Sequence, residues 1–104
     1  MLLVESDRQR RTALSRALRD AGFPVVAVER IAEIREWPAN ELVITTREWF
    51  TPWWYSVGAA HVIVLVDDRQ QGEAACAAGA SQWLDRECQP ERLVQMVREL
   101  GTGH

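Results

Sequence analysis

Several short apolar segments of this chain end in side chains that can take part in binding chemistry. The carboxylates Glu5 and Asp7 follow one such segment, Thr46 ends a second, and Arg86 follows the last. If the segments are parallel strands, the loops at their carboxyl ends form one ligand crevice. Carboxylate oxygens in such a crevice are the ligands that a hard cation such as magnesium prefers. These residues are therefore the first candidates for a functional site.

Residue types that serve in most catalytic sites are scattered or missing. His61 and His104 are far apart and have no triad around them, and Cys76 and Cys88 lack metal-ligand spacing. All 12 basic residues are arginines, which excludes any mechanism that needs a lysine ammonium. The chain also has no Gly-rich phosphate loop and no nucleophile elbow. We therefore predict that the chain is not an enzyme and that it has neither a metal site nor a cofactor.

The composition is that of one globular domain. With 104 residues, 47% of them hydrophobic and 26% charged, the chain can bury a core of its own. No apolar run is long enough to span a membrane, and the first residues do not resemble a signal peptide. Together with two cysteines that read as reduced thiols, this predicts a cytoplasmic protein. The net charge of -3 argues against nucleic acid as a direct partner.

Short apolar runs alternate with amphipathic stretches, a pattern that predicts a parallel sheet covered by helices. The predicted strands are residues 2–5, 25–28, 42–45, 62–66 and 82–84. The predicted helices are residues 8–21, 31–37, a short one that begins at Pro52, residues 73–78, and one that begins at Pro90. The third and fourth strands are continuous apolar runs, which is typical of strands buried on both faces. Asp7 and Gly22 are the expected caps of the first helix.

Three segments resemble the receiver domain of bacterial two-component response regulators: residues 2–7, residues 41–46, and residues 79–86 with the helix that follows them. The resemblance covers nearly the whole chain. It implies an α/β fold, a flavodoxin-like three-layer sandwich whose five-stranded parallel sheet has the order 2-1-3-4-5. It also implies one receiver-like domain over residues 1–100, with residues 101–104 as a frayed tail.

In receivers, an acidic pocket binds magnesium and a phosphoryl group carried by an aspartate. The resemblance places Thr46 at the position of that aspartate and Ser6 at the position of a metal-binding acid, and neither residue has a carboxylate. Glu5 matches the first acid of the pocket. Asp7 lies one place too late, where helix capping competes for its side chain. The resemblance therefore implies a degenerate pocket, without phosphoacceptor or magnesium.

The remaining pocket positions also differ from those of receivers. Val66 falls where a Ser or Thr bonds the phosphoryl group, with Asp67 as the alternative if the register shifts by one. Arg86 replaces a lysine and keeps its charge but not its geometry, and we expect nearby acids such as Glu5 to pair with it. Trp83 replaces the switch aromatic, usually Tyr or Phe. We expect its larger indole to be hard to swing into the space that a phenol ring occupies.

The loop and helix that follow Thr46 are shorter than those of receivers. Only 15 residues separate Thr46 from Val62, close to the minimum of about 10–12 residues for a crossover. This spacing predicts a shortened third helix. We expect Thr51 to cap it and Pro52 to take its first position.

Three of the five tryptophans, Trp49, Trp53 and Trp54, lie in this shortened crossover. They either fill the volume that the short helix leaves open or form an interaction surface, since tryptophan is enriched at binding hot spots. Adjacent residues on a helix point about 100° apart. At least one of Trp53 and Trp54 is therefore expected to reach the surface.

The resulting hypothesis is a phosphorylation-independent interaction module of a signalling protein. It would bind a protein partner and could form a homodimer, either through the tryptophans or through the face made by residues from about Gly72 to Leu100, as receivers commonly do. Two alternatives remain open. One is a small-molecule sensor that uses the crevice near Thr46, and the other is residual phosphorylation on Glu5, Asp7 or Asp67.

Overall fold

The computed structural model describes residues 1–36, 40–51 and 53–102. Five strands alternate with helical segments along this part of the chain. In order they are β1 Leu2–Val4, α1 Arg8–Asp20, β2 Val26–Val28, a 3₁₀ turn Ile31–Glu33, β3 Leu42–Thr46, a 3₁₀ turn Arg47–Trp49, α2 Trp53–Ser56, β4 His61–Val66, α3 Arg69–Ala77, β5 Gln82–Asp85 and α4 Pro90–Thr102.

The five strands form one parallel sheet with the order β2-β1-β3-β4-β5. This confirms the flavodoxin-like fold and the strand order that the resemblance implied. Each strand boundary differs from the predicted one by at most one residue. The carboxyl ends of β1, β3, β4 and β5 share one edge of the sheet, and the loops that follow them carry the predicted pocket residues.

Two apolar layers cover the sheet, one on each face. Because side chains alternate along a strand, neighbouring residues enter opposite layers. Ile44 and Ile63 pack with α1 and α4, whereas Val43 and Val62 pack with Trp54 on the other face. Each buried side chain of this size contributes about 1.5–3 kcal/mol. The predicted burial of β3 and β4 on both faces is thereby confirmed.

The first helix begins at the predicted residue, Arg8, and ends at Asp20, one residue before the predicted end. The Asp7 carboxylate accepts a hydrogen bond from the Arg10 amide at 3.0 Å, which satisfies one of the free amides of the first turn. Gly22 follows the helix with a φ of 95°, a conformation that favours glycine. The apolar stripe of α1, which includes Leu14 and Leu18, is buried in the same layer as α4.

The prediction of a second helix over residues 31–37 is wrong. Only a 3₁₀ turn forms over Ile31–Glu33, and Ile34 already has extended backbone angles of −73° and 123°. Arg30 precedes this turn without a side-chain cap, so the first turn does not extend into an α-helix. The expected stop at Pro38 lies outside the described residues.

Two helices differ from their predicted bounds. Helix α3 begins at Arg69, four residues earlier than the expected start at Glu73, because Asp68 caps it by accepting from the Gln71 amide at 2.8 Å. Helix α4 continues to Thr102, beyond the expected end of the domain at residue 100. None of the helices in the described ranges has the length and apolar content that a membrane span requires.

The carboxyl-end crevice as candidate functional site

Residues from three parts of the chain meet at the carboxyl edge of the sheet. Glu5 follows β1, Thr46 ends β3, and Arg86 follows β5. The Arg86 amide donates to the carbonyl of Val66 at 2.7 Å, which extends the pairing of β5 with β4 by one residue. This hydrogen bond fixes the position of the Arg86 backbone. From there its guanidinium reaches across the crevice to Glu5.

Glu5 is fully buried, and both of its carboxylate oxygens are bonded. Oε1 accepts from Arg86 Nη2 at 2.6 Å and from the Asp7 amide at 3.0 Å, and Oε2 accepts from Arg86 Nε at 3.3 Å. This two-point contact between a guanidinium and a carboxylate is the strongest form of such a pair. The predicted pairing of Arg86 with a nearby acid is therefore confirmed for Glu5.

Glu48 is a member of the crevice that the sequence reasoning missed. It lies in the 3₁₀ turn after β3, and its Oε2 accepts from the Thr46 hydroxyl at 2.5 Å. Its Oε1 accepts from Arg86 Nη1 at 3.2 Å. The signal that could have found it is its place as the first carboxylate after Thr46. We call the four connected residues Glu5, Thr46, Glu48 and Arg86 the acid–arginine network.

The network changes the charge properties of Arg86. The hydrogen bonding of Arg86 to the Glu5 carboxylate, which accepts from its guanidinium, raises the pKa of Arg86 above its ordinary value, and the negative charges of Glu5, Glu48 and Asp67 add to this effect. The guanidinium therefore stays charged at any physiological pH. It neutralises the buried Glu5 carboxylate, which would otherwise be costly to keep away from water.

The residues of this crevice do not fit a magnesium ion. Both oxygens of Glu5 already accept hydrogen bonds from a guanidinium or an amide, and the cation that they face is Arg86. Ser6 and Thr46 offer neutral oxygens, whereas magnesium requires an octahedral set that usually includes carboxylates. Among the residues that the structure describes, no group of three His, Cys, Asp or Glu side chains could hold a metal ion.

The side chains of two predicted pocket residues, Ser6 and Asp7, are exposed and lie outside the network. The Asp7 side chain caps α1, and the backbone hydrogen bond from Arg10 lowers the pKa of its carboxyl group. The side chain of Ser6 is also exposed, and its carbonyl accepts from Arg11 Nη1 at 3.4 Å. Neither side chain takes part in the contacts between Glu5 and Arg86.

The two candidates at the end of β4 point in different directions. The Val66 side chain is buried in the apolar layer that also holds Trp54, and it has no polar atom that could form a hydrogen bond. Asp67 is exposed, and its amide donates to the Gln71 side chain at 3.0 Å. Asp67 acts on the site only through its charge, which contributes to the raised pKa of Arg86.

Trp83 is held against the backbone of α3. A Cβ atom built on Gly72 would lie 2.2 Å from Cδ2 of the Trp83 indole, so the ring rests directly on the glycine. The indole is partly buried against the same apolar layer as Val66. This contact explains why a glycine stands inside a helix, where it is otherwise unfavourable by about 1 kcal/mol relative to alanine. It also leaves no space between the ring and α3 into which the indole could move.

The tryptophans of the short crossover have different environments. Trp54 is fully buried, and its Nε1 donates to the Trp49 carbonyl at 2.9 Å. Trp53 is 40% exposed, with its ring centroid 5.6 Å from that of Trp54. The prediction that at least one of the pair reaches the surface is confirmed. Trp54, in contrast, is a core residue and cannot belong to an interaction surface, and Trp49 is largely packed against the core.

Helix α2 also follows the predicted pattern. It spans only Trp53–Ser56, and the Thr51 hydroxyl accepts from the Trp53 amide at 3.4 Å as a cap. The expected first position, Pro52, lies outside the described residues. The Tyr55 hydroxyl donates to the Gly79 carbonyl at 2.7 Å and lies 3.0 Å from the Ser81 hydroxyl, which joins α2 to the loop before β5.

Comparison with known proteins rests on structure. No family model matches the chain, and no curated protein matches it either. Among solved structures, the receiver domain of ChxR from Chlamydia trachomatis matches with a TM-score of 0.70, covering 99% of this chain and 95% of that one. This chain has the fold of a receiver domain. At 18% identity the likeness concerns the receiver fold alone.

Proposed function

We propose that this chain is a signalling module with a receiver fold that works by binding a protein partner, without phosphorylation and without enzymatic activity. The observation that carries the proposal is the acid–arginine network. Its only cation, Arg86, is bonded to two carboxylates, and the residue at the phosphoacceptor position, Thr46, is a buried hydroxyl bonded to Glu48.

Electrostatics supports the loss of phosphotransfer. A phosphoryl group placed beside Thr46 would lie close to the carboxylates of Glu5 and Glu48. Two like charges about 4 Å apart repel by about 4 kcal/mol at the effective dielectric of a protein surface. Arg86 cannot offset this repulsion, because its donors already serve both carboxylates, and the site does not fit the magnesium ion that could.

The test is incubation with acetyl phosphate and magnesium, followed by intact mass spectrometry. We expect no increase in mass. Thr46→Asp should also remain unmodified, because Ser6 still lacks a carboxylate and Arg86 still occupies the crevice. A stoichiometric, base-labile phosphoryl adduct on the wild-type chain would refute the proposal, and its position would show whether Glu5, Asp7 or Asp67 accepts the group.

The small-molecule alternative has less support from the geometry. It needs an accessible space beside Thr46, and Thr46 is fully buried with its hydroxyl already bonded. We therefore do not put it forward as a second function. A protein partner is favoured because Trp53, in the segment that follows Thr46, presents an exposed aromatic surface.

Two surfaces could bind that partner or a second copy of the chain. One carries Trp53, and the other is the face made by α3, β5 and α4, which includes Arg92. Sedimentation of wild type, Trp53→Ala and Arg92→Glu separates them, because only the variant that alters the interface should weaken a dimer. A wild-type chain that stays monomeric at high micromolar concentration would refute the homodimer and leave a different protein as the partner.

A further inference from the structure

The Glu48 side chain reaches across the crevice, although it is exposed enough for water to solvate its carboxylate. It is 54% exposed, yet its carboxylate accepts hydrogen bonds from two donors at the ends of different strands. The Thr46 hydroxyl ends β3, and the Arg86 guanidinium follows β5. An exposed glutamate has no need of protein partners, so this orientation reflects the two hydrogen bonds, one of them charge-assisted.

The turn that carries Glu48 has little support from its own backbone. In the 3₁₀ turn Arg47–Trp49 the closing hydrogen bond, from the Phe50 amide to the Arg47 carbonyl, measures 3.3 Å. Hydrogen bonds of this length are weaker than those near the usual 2.9–3.0 Å. The contacts of the Glu48 carboxylate are therefore a substantial part of what positions this turn.

The same turn determines where the neighbouring tryptophans lie. The Trp49 carbonyl, one residue after Glu48, accepts the Nε1 hydrogen bond of the buried Trp54. Trp53 precedes Trp54, and the two rings are in contact. At the other end of α2, the Tyr55 hydroxyl is bonded to Gly79 and Ser81. The short crossover is thus held by the buried Trp54, by Tyr55 and by Glu48.

We propose that Glu48 is a built-in anion of the crevice, which keeps residues 47–51 and 53–56 in one position and so presents Trp53 permanently. The proposal rests on the proposed function, since it explains how a receiver fold without phosphotransfer could hold its interaction surface ready. The chain itself supplies the negative charge that joins residue 46 to residue 86, and no external group is required.

Hydrogen exchange of Glu48→Ala, measured by mass spectrometry on the isolated chain, tests this proposal. Amides of residues 47–56 should exchange about tenfold faster or more than in wild type, because local opening of the segment becomes easier. The matched control is Glu73→Ala. It removes another exposed carboxylate that bonds an arginine, at 2.9 Å from Arg69, but lies on α3 away from the crevice.

Two results would overturn the proposal. One is unchanged exchange of residues 47–56 in Glu48→Ala. The other is an equal acceleration in β4, which would show that Glu48 stabilises the whole fold and not this segment in particular. Because the measurement needs no partner and no phosphoryl donor, its outcome is independent of the acetyl phosphate test. A modified wild-type chain would refute the proposed function, whereas unchanged exchange would refute only the role of Glu48.

Discussion

Replacing Arg86 with methionine should destabilise the fold strongly, because it leaves a buried negative charge without its counterion. Glu5 is fully buried, and Arg86 provides two of the three hydrogen bonds to its carboxylate. Methionine has a similar length and flexibility, so the variant mainly removes the charge and the donors. The remaining partner of Glu5 is the Asp7 amide.

The expected loss is about 3 kcal/mol. Removing one partner of a buried ion pair costs about 3–5 kcal/mol, and we take the lower end because the Arg86 side chain is 16% exposed. The second contact of Arg86, with the half-exposed Glu48, adds no more than about 1 kcal/mol. A chain of this size has a total stability of about 5–15 kcal/mol, so the variant should fold but with a small margin.

Urea unfolding followed by tryptophan fluorescence measures this loss. With a slope of about 1–3 kcal/mol per molar urea, the midpoint should fall by about 1–3 M. Arg69→Met is the matched control, since Arg69 pairs with Glu73 at 2.9 Å while remaining 83% exposed. Its loss should be only about 0.3–0.5 kcal/mol.

A double variant tests the cause of the loss. If the cost of Arg86→Met comes from the unpaired Glu5 charge, then adding Glu5→Gln should restore most of the stability. Because the pKa of Arg86 is raised, its contribution to stability is complete below the ordinary pKa of an arginine side chain and is lost only as the pH rises through the higher folded value. Titration of Arg86 should therefore not change the difference in free energy of unfolding between wild type and Arg86→Met from about pH 6 to 9. A loss no larger than that of Arg69→Met, or no recovery in the double variant, would refute the reasoning.

The remaining predictions concern Trp83, the α1 cap and the metal. Gly72→Ala should destabilise by about 1–3 kcal/mol in urea unfolding, because the new methyl group would overlap the Trp83 indole, and a neutral effect would show that the ring can move aside. Asp7→Ala should lower the melting temperature at neutral pH. Since the pKa of Asp7 is lowered, its stabilisation is complete above the ordinary value of 3.8 and is lost as the pH falls through the folded value, so a difference that persists in stronger acid would contradict this account. Millimolar magnesium should leave the melting temperature unchanged, and a saturable increase that disappears in Glu5→Gln would show a metal site after all.

The sequence alone predicts the sheet well, and the reason is local. Apolar runs such as residues 42–44 and 62–66 have the length and composition of strands covered on both faces, and the caps Asp7 and Gly22 mark the ends of α1 within a few residues. The strand order came from the resemblance to receivers, since hydrophobic periodicity does not specify which strands are neighbours. The second helix was predicted wrongly because residues 31–37 have helical periodicity but no cap to start them.

Part of the candidate site could likewise be predicted from the sequence, and part of it depends on the tertiary structure. Thr46, Ser6 and Arg86 could be recognised as departures from a pocket because each follows a predictable strand, and the absence of a carboxylate is visible in the residue type itself. Tertiary structure alone decided that Glu48 turns into the crevice, that Trp83 rests on Gly72, and that Trp54 is buried while Trp53 is not. Each of these depends on the distance between side chains on separate elements, and residue type and spacing along the chain do not contain that distance.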